Sequence, residues 1–351
     1  TLKPDLGAPG GSIYSTLPLE NGAYGNLSGT SMSSPHVAGL AALYLERHGV
    51  KDPARMRDIL QNTASPRKLL GSTFLDSVNR QGAGMADIRA ALEANAVVTP
   101  GKLSLGEQSG PATRTLTVEN TSKDDQTYTL SFESALATGP GPFSISLFSA
   151  PSAVSFSATT VTVKKNKSAT VDVTIAPNAG LADRSIFGGW IVLSSTTDDS
   201  VLRVPYAGFK GDYQSIVVAN LSTRRHVCRQ VSPGSFSLTG GTFTFSGATE
   251  TPSFCVHFDH QSRQVDFLVK DSGGATVGTA FSLPYFTRNS SSTGFFAFPW
   301  DGVVTSGGAA TTLPNGTYTI ELRILKALGD PADPAHTEIY TLAGSVTIAR
   351  P

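Results

Sequence analysis

A serine at the start of a predicted helix is the residue of this sequence best placed for covalent chemistry. It is Ser31, within the run Ser-Gly-Thr-Ser-Met-Ser-Ser-Pro-His-Val-Ala-Gly over residues 28–39. Gly29 permits a close approach of the backbone, and Pro35 suits the first turn of a helix, where the N–H group that proline lacks is not needed. The free N–H groups of that turn favour a developing oxyanion. We therefore expect Ser31 to act as a nucleophile, with its own N–H as one oxyanion donor.

A nucleophilic serine also needs a base, usually a histidine, and an acid that orients the base. His36 is near in sequence, five residues along the same helix. The helix carries His36 away from the Ser31 hydroxyl and toward the core, so we expect its ring to meet a structural partner instead. His48, close to the predicted end of the helix, is expected to complement the helix dipole.

The run around Ser31 resembles the nucleophile segment of the subtilisin-like serine proteases, the subtilases. Residues 3–10, 13–17 and 24–29 resemble the strands and loops that precede this serine in the family. Residues 81–92 resemble the strand and the closing helix of the catalytic domain. Beyond residue 95 the chain is similar to the accessory domains of large secreted subtilases, particularly fungal ones.

The resemblance implies a catalytic triad of which this sequence holds one member. In subtilases the Asp, the His and an oxyanion-hole Asn all precede the Ser, whereas residues 1–30 contain one Asp (Asp5) and no His. Asn26 is too close to Ser31 along its strand to be the oxyanion-hole residue. We therefore expect the chain to be the C-terminal portion of a subtilase. Its expected partner is an N-terminal chain or fragment of the same protease, which supplies the Asp, the His and the Asn.

The first predicted domain, residues 1–96, reads as an α/β subtilase fragment. Helices are predicted over residues 35–48, 52–63 and 85–95. The first of these is apolar nearly all round, so it must be buried on most sides. Because this segment encodes no sheet that could cover the helix, we expect the N-terminal partner to supply one. Residues 24–27 are either the lining of a substrate pocket or an ordinary strand.

Two antiparallel β-sandwiches are predicted after the helical segment. Residues 97–211 contain about seven short alternating segments, which is typical of a fibronectin type III-like domain. The alternating segments are 114–119, 128–132, 153–156, 160–163, 169–175, 190–193 and 202–206. Residues 212–351 contain similar segments, with a turn at 314–316 before a long strand, and predict a second sandwich.

The composition indicates which kinds of partner and which cellular compartment to expect. The 27 basic and 27 acidic residues balance, which argues against a nucleic acid or an anionic membrane as the main partner. No apolar run approaches the roughly 20 residues that span a bilayer. Cys228 and Cys255 are either two buried thiols or a disulfide. Six glycosylation sequons favour secretion, an extracellular location and hence the disulfide; they are at Asn26, Asn120, Asn166, Asn220, Asn289 and Asn315.

Two polar clusters are candidate metal sites. His257, Asp259 and His260 have a spacing that could bind a metal ion, but a third fixed ligand is lacking and solvated side chains at a strand end are favoured. Asp330 and Asp333 read as a loop, where structural calcium is an open alternative. The predicted chemistry itself requires no cofactor.

Two functions from different classes follow. The first is a secreted subtilisin-like endopeptidase that acts on protein or peptide substrates and whose C-terminal chain carries Ser31. The alternative is a non-catalytic protein derived from a subtilase, whose sandwiches bind glycans or proteins. The intact motif around Ser31 favours the protease.

Overall fold

The computed structural model describes residues 2–49 and 52–351. They divide into two compact units. The first unit contains the residues up to Gly141 and Ile145–Asp212, and the second contains Pro142–Ser144 and Tyr213–Pro351. Among the described residues, no helix is long and apolar enough to cross a membrane.

The first unit opens with a helical segment, residues 2–95. Its helices are α1 (Thr30–His48), α2 (Pro53–Asn62), α3 (Val78–Gln81) and α4 (Ile88–Glu93). The strands β1 (Ile13–Thr16) and β2 (Tyr24–Leu27) form an antiparallel hairpin, with a short 3-10 helix at Leu19–Asn21 between them. The prediction of three helices is confirmed, but the short α3 was missed.

Acidic side chains fix the starts of two helices. The Asp52 carboxylate accepts a hydrogen bond from the Ala54 N–H group at 2.9 Å, and Asp87 accepts one from Ala90 at 3.0 Å. These carboxylates satisfy N–H groups that have no partner inside the helix, and they sit at the positive end of the helix dipole. The predicted start signal at Asp52 is therefore confirmed.

Helix α1 departs from the prediction in its start and in its burial. It begins at Thr30, so Pro35 lies inside the helix and not in its first turn. Because proline has no N–H group, the Ser31 carbonyl lacks its usual partner four residues later. Of the described helix, only Tyr44 is fully buried, and it packs against Ile59 and Leu60 of α2. The apolar helix that was expected to be covered is mostly exposed, because the described residues place no sheet over it.

The first β region, residues 96–141 and 145–210, completes the first unit. Its strands are β3 (Ala96–Thr99), β4 (Leu103–Gln108), β5 (Ala112–Asn120), β6 (Gln126–Ser134), β7 (Leu136–Thr138), β8 (Leu147–Ser149), β9 (Ala153–Phe156), β10 (Thr160–Val163), β11 (Ser168–Ala176), β12 (Ile186–Ser195) and β13 (Val201–Lys210). One sheet has the order β3-β5-β11-β9, and the other has the order β10-β6-β12-β13-β4 with β7 and β8 attached. All seven predicted segments fall on strands.

Alternation of side chains along these strands builds one core for both sheets. Leu116 on β5 pairs with Val171 on β11, and both are buried, whereas the neighbouring threonines point outward. Ile191 and Leu193 of the other sheet belong to the same buried cluster. Because successive side chains of a strand point to opposite faces of the sheet, every second side chain is buried in this core.

Buried polar contacts join the helical segment to the first β region. The Trp190 indole N–H group on β12 donates to the Ala83 carbonyl at 3.1 Å. Asn62, at the end of α2, accepts from the Val98 N–H group at 2.8 Å and donates to the Arg203 carbonyl at 3.3 Å. Asn62 and Trp190 are both 0% exposed. Since unpaired buried polar groups are costly, these contacts specify how the two parts fit together.

Asp5 adds a pH-dependent contact to this junction. Its carboxylate contacts the Lys102 ammonium at 2.5 Å and also pairs with Lys3. Burial alone would raise the pKa of Asp5, but the hydrogen bonds and charges of Lys102 and Lys3 outweigh burial, so the pKa lies below its ordinary value. A lowered folded-state pKa gives stability that is fully present above the unfolded pKa of about 3.9 and is lost as the pH falls through the folded-state pKa.

We therefore expect acid to destabilise the first unit partly through Asp5. Asp5→Asn should make the thermal unfolding midpoint of that unit less dependent on pH between about 5 and 2.5. Asp124→Asn, on an exposed turn of the same unit, is the control and should leave that dependence unchanged. An Asp5→Asn profile that parallels the native profile would contradict this role of Asp5.

The second unit is built from strands and short 3-10 helices. Its strands are β14 (Arg225–Ser232), β15 (Ser235–Ser237), β16 (Gly241–Phe243), β17 (Pro252–Val256), β18 (Ser262–Lys270), β19 (Thr276–Pro284), β20 (Phe296–Pro299), β21 (Val303–Ser306), β22 (Ala309–Thr312), β23 (Gly316–Lys326), β24 (Thr337–Thr341) and β25 (Val346–Ile348). The 3-10 helices are Tyr213–Ser215, Ser222–Arg224, Ala248–Glu250 and Pro334–His336. The sheets have the orders β15-β14-β17-β20 and β16-β25-β23-β18-β19-β21-β22, with β24 paired to β23.

The core of the second unit is aromatic and carries the disulfide. The Phe254 ring lies 5.3 Å from the Phe267 ring and 5.5 Å from the Trp300 ring, measured between centroids. Cys228 on β14 and Cys255 on the neighbouring β17 form a disulfide with a Cα–Cα distance of 6.0 Å. The disulfide alternative of the sequence analysis is therefore confirmed.

Candidate active site

Ser31 is the second residue of α1, and its side chain is exposed. Gly29 precedes the helix with a φ of 150°, a conformation that favours glycine, and its N–H group donates to the Gly10 carbonyl at 2.8 Å. The Ser33 hydroxyl donates to the Ala8 carbonyl at 3.0 Å. The turn that presents Ser31 is therefore held by the loop of residues 8–10.

Gly10 lets this loop lie directly against the turn. A Cβ atom at Gly10 would come within 2.8 Å of the Gly29 carbonyl oxygen and would overlap the Ser33 hydroxyl. No side chain larger than that of glycine fits this approach. Sequence reasoning missed the contact, although the Gly-Ala-Pro-Gly run over residues 7–10 was the signal that could have shown it.

The histidines near Ser31 have other partners. The His36 Nδ1 atom lies 2.9 Å from the Met32 carbonyl oxygen, one turn back along α1, which confirms the predicted backbone partner. The expectation that the helix carries His36 toward the core is wrong, because His36 is exposed. The His48 ring packs on the Tyr44 ring with 4.6 Å between centroids, at the end of the helix as predicted. Within residues 2–49 and 52–351, the Ser31 hydroxyl has no hydrogen-bond partner. The described residues present a serine at a helix start without a base beside it.

A groove of about 800 Å³ runs between the β1–β2 hairpin and α1. Leucines from both sides make it apolar, among them Leu27 of β2 and Leu40 and Leu43 of α1. Met32 lines the groove, but Ser31 does not. The groove therefore begins beside the serine and follows the helix away from it.

Only part of the predicted pocket strand faces this groove. Gly25 and Leu27 line it, whereas Tyr24 and Asn26 do not, as the two-residue alternation of a strand requires. The Tyr24 ring instead stacks on Tyr14 of the neighbouring strand, with 5.9 Å between centroids.

The structure changes the interpretation of the histidine cluster in the second unit. His257 is 0% exposed, so the expected solvated side chain is wrong for this residue. Its Nε2 atom lies 3.0 Å from an Asp259 carboxylate oxygen, and its Nδ1 atom lies 2.5 Å from the Gly294 carbonyl oxygen. The described part of the chain contains no group of three or more side chains that could hold a metal ion.

Asp330 and Asp333 hold the loop in which they lie. Asp330 accepts from the Ala332 N–H group and Asp333 from the Ala335 N–H group, each at 2.9 Å. This hydrogen bonding to a neighbouring N–H group is typical of aspartates in turns. The predicted loop is confirmed.

The six sequons differ in accessibility. Asn120 and Asn289 are at most 5% exposed. The Asn120 side-chain amide donates to two carbonyls, and the Asn289 side-chain oxygen accepts from the Phe258 N–H group. The remaining four sequon asparagines are exposed in the folded chain. Not every sequon can therefore be read as a surface site.

Comparison with known proteins identifies two regions of the chain. Residues 1–85 match the model of the subtilase family, and residues 103–207 match that of the Fn3-like domain. The minor extracellular protease Vpr of Bacillus subtilis is 28% identical over 328 residues, which are 90% of this chain and 35% of Vpr.

Two further relatives match shorter regions. The PI-type proteinase of Lactococcus lactis subsp. cremoris is 28% identical over 61% of this chain and 13% of its own length. Subtilisin of Bacillus pumilus is 46% identical over 25% of this chain and 29% of its own length. The chain thus spans about a third or less of the length of these relatives. Residues 1–85 are thus similar to the subtilase family, whose relatives described above are proteases, and a region similar to the Fn3-like domain follows within the first β region.

Proposed function

We propose that the chain is the C-terminal part of a secreted subtilisin-like endopeptidase in which Ser31 is the nucleophile. One observation carries the proposal: within the segment that matches the subtilase family, an exposed serine stands in the first turn of α1. N–H groups in the first turn of a helix have no partner inside the helix, and they stabilise negative charge. The site therefore suits attack on a carbonyl whose oxygen becomes an oxyanion.

The proposed reaction is acyl transfer to Ser31. The Ser31 hydroxyl oxygen bonds to the scissile carbonyl carbon while a histidine takes the hydroxyl proton. The C–N bond of the substrate then breaks, and the histidine returns the proton to the leaving amine. Water hydrolyses the acyl-enzyme by the same steps. The Ser31 N–H group and an asparagine side chain bind the oxyanion.

The histidine, its aspartate and the asparagine are proposed to come from an N-terminal part of the same protease. The support is the uncovered apolar surface of α1, where Leu43 is 49% and Leu45 is 42% exposed beside the groove of about 800 Å³. Exposed apolar surface of this extent is typical of an interface. We propose that the sheet of a subtilase catalytic domain covers α1, and we call the resulting assembly the complete protease.

A charge in the groove should block this assembly. Leu43→Glu should leave the fold of this chain intact, because the side chain is half exposed, but should prevent association with the N-terminal part. Arg47→Glu, on the same helix but outside the groove lining, is the matched control. Light scattering of the mixed chains measures the association. Equal association of both variants would contradict the proposed cover.

The β regions are proposed to be two β-sandwich accessory domains, residues 97–211 and 212–351. They would brace the catalytic unit or hold protein and peptide substrates. An extracellular location is supported by the disulfide between Cys228 and Cys255 and by the name of Vpr as an extracellular protease. The proposed reaction needs no cofactor, although structural calcium elsewhere in the protease is compatible with it.

Hydrolysis of a denatured protein by the complete protease tests the proposal. We expect cleavage, and we expect a fluorophosphonate, which reacts with nucleophilic serines, to stop it. If the protein neither cleaves nor reacts, and instead the second unit is retained on sugar columns, the alternative of a glycan-binding protein derived from a subtilase would replace the proposed one.

A further inference from the structure

We propose that the first β region, with its Fn3-like domain, positions Ser31 through a continuous path of hydrogen bonds. This inference rests on the proposed role of Ser31 as nucleophile. The path starts at Trp190, passes through residues 83–86 and 5–10, and ends at the residues on either side of Ser31. The first β region then holds Ser31 in position and is not a separate domain that binds substrates.

The path begins where the first β region packs closely against the helical segment. Trp190 is 0% exposed and donates its indole N–H group to the carbonyl of Ala83, which is also 0% exposed. Val78 and Leu2 of the helical segment lie in the same buried cluster as Trp190. A Cβ atom at Gly188 would come within 3.2 Å of the Val78 side chain, so this side chain packs directly against the Gly188 backbone.

Residues 83–86 connect Trp190 to residues 5–7 through backbone hydrogen bonds. The Ala83 N–H group donates to the Asp5 carbonyl at 3.1 Å. The Gly7 N–H group donates to the Gly84 carbonyl at 2.8 Å, and the Gly7 carbonyl accepts from Ala86 at 2.9 Å. Lys102 adds a second anchor, because its ammonium donates to the Leu2 carbonyl at 2.8 Å and contacts Asp5. Residues 2–7 are thus fixed to the first β region from two sides.

Residues 8–10 then reach the catalytic turn. The Ala8 carbonyl accepts from the Ser33 hydroxyl, and the Gly10 carbonyl accepts from the Gly29 N–H group. These contacts lie two residues after and two residues before Ser31. A shift of residues 5–10 would therefore move the Ser31 hydroxyl relative to any base that it must meet.

Small displacements have large effects on acyl transfer. A misplacement of about 1 Å in a catalytic group can cost on the order of 10²-fold in rate. Helix α1 has few other restraints near Ser31, since its described side chains are exposed or partly exposed except for Tyr44 at the far end. Besides the path from Trp190, the described residues hold the turn through the Ser28 hydroxyl, which accepts from the Ser12 N–H group at 2.8 Å.

Trp190→Phe in the complete protease tests the inference, because it removes the indole N–H group and keeps an aromatic ring. With a saturating fluorophosphonate, we expect the maximal acylation rate to fall about tenfold while the dissociation constant of the inhibitor stays unchanged. Trp300→Phe is the matched control. Trp300 is 1% exposed and donates its indole N–H group to the Val303 carbonyl at 2.7 Å, but it lies in the second unit. That variant should lose stability in its own unit and keep the native acylation rate.

A second variant keeps the test decisive if Trp190→Phe unfolds. Ser33→Ala removes a contact at the other end of the path and should also lower the maximal acylation rate. The double variant should lose less than the product of the two single effects, as expected for sites on one path. Native acylation rates in folded Trp190→Phe and Ser33→Ala would overturn the inference. If the native protease itself is not labelled, the proposed role of Ser31 fails instead, and the two failures are thereby distinguished.

Discussion

Replacing Ser31 with alanine should lower kcat of the complete protease on the order of 10⁶-fold, the size of loss expected when a nucleophilic serine is removed. The hydroxyl is the atom that forms the acyl-enzyme, and the exposed position of Ser31 in the first turn of α1 leaves it open to substrate. Because the side chain makes no hydrogen bond with the described residues, Ser31→Ala should leave the thermal stability of the first unit unchanged. Peptide hydrolysis and thermal unfolding of the same preparation measure both effects.

Ser34→Ala is the control for this variant. Ser34 is exposed on the same helix, three residues after Ser31. It should retain near-native hydrolysis, because its hydroxyl has no part in the proposed reaction. Comparable rates for Ser31→Ala and the native protease would contradict the assignment of the nucleophile.

Asn62→Ala should reduce the free energy of unfolding of the first unit by about 2–4 kcal/mol. The buried Asn62 amide connects α2 to β3 through Val98 and to β13 through Arg203, and these strands belong to different sheets. Alanine leaves the Val98 N–H group and the Arg203 carbonyl without this partner in a buried place. Denaturant unfolding of the first unit, compared between variant and native chain, measures the loss.

Asn178→Ala is the matched control in the same unit. Asn178 also makes two bonds to the backbone, donating to the Pro151 carbonyl at 3.2 Å and accepting from the Gly180 N–H group at 2.9 Å. These bonds lie at the surface, where water can replace the lost partner, so the expected loss is below about 1 kcal/mol. Equal losses in the two variants would show that the buried bridge of Asn62 does not hold the junction.

Much of the β structure could be predicted, because apolar and polar residues alternate along a strand and this pattern is visible within a short stretch of sequence. Residues 153–156 and 160–163 were predicted from it and coincide with β9 and β10. Strands such as β7 and β8 were missed, since three residues are too few to show a period. The pattern around Pro35 indicates a first helical turn, whereas α1 already begins at Thr30, so its first residues do not follow from the sequence. The domain limits at residues 96 and 211 and the sandwich arrangement stay predictions.

The candidate site was predictable where one segment carries it. The place of Ser31 at a helix start and the structural partner of His36 both follow from residues 28–39. Two contacts join residues that are far apart in sequence. Gly10 packs against the turn that contains Ser31, and Trp190 hydrogen-bonds to the Ala83 carbonyl. Contacts of that kind depend on how the parts pack, and the local pattern around Trp190 indicates only a strand. His257 shows the same limit, because its Nδ1 atom contacts the carbonyl oxygen of Gly294, which lies 37 residues further along the chain.

The site of covalent labelling tests the central claim most directly. The complete protease is treated with a fluorophosphonate, digested, and analysed by mass spectrometry to find the modified residue. We expect a single adduct on Ser31, formed in parallel with the loss of hydrolysis. An adduct on another serine, or full inhibition with Ser31 unmodified, would contradict the account.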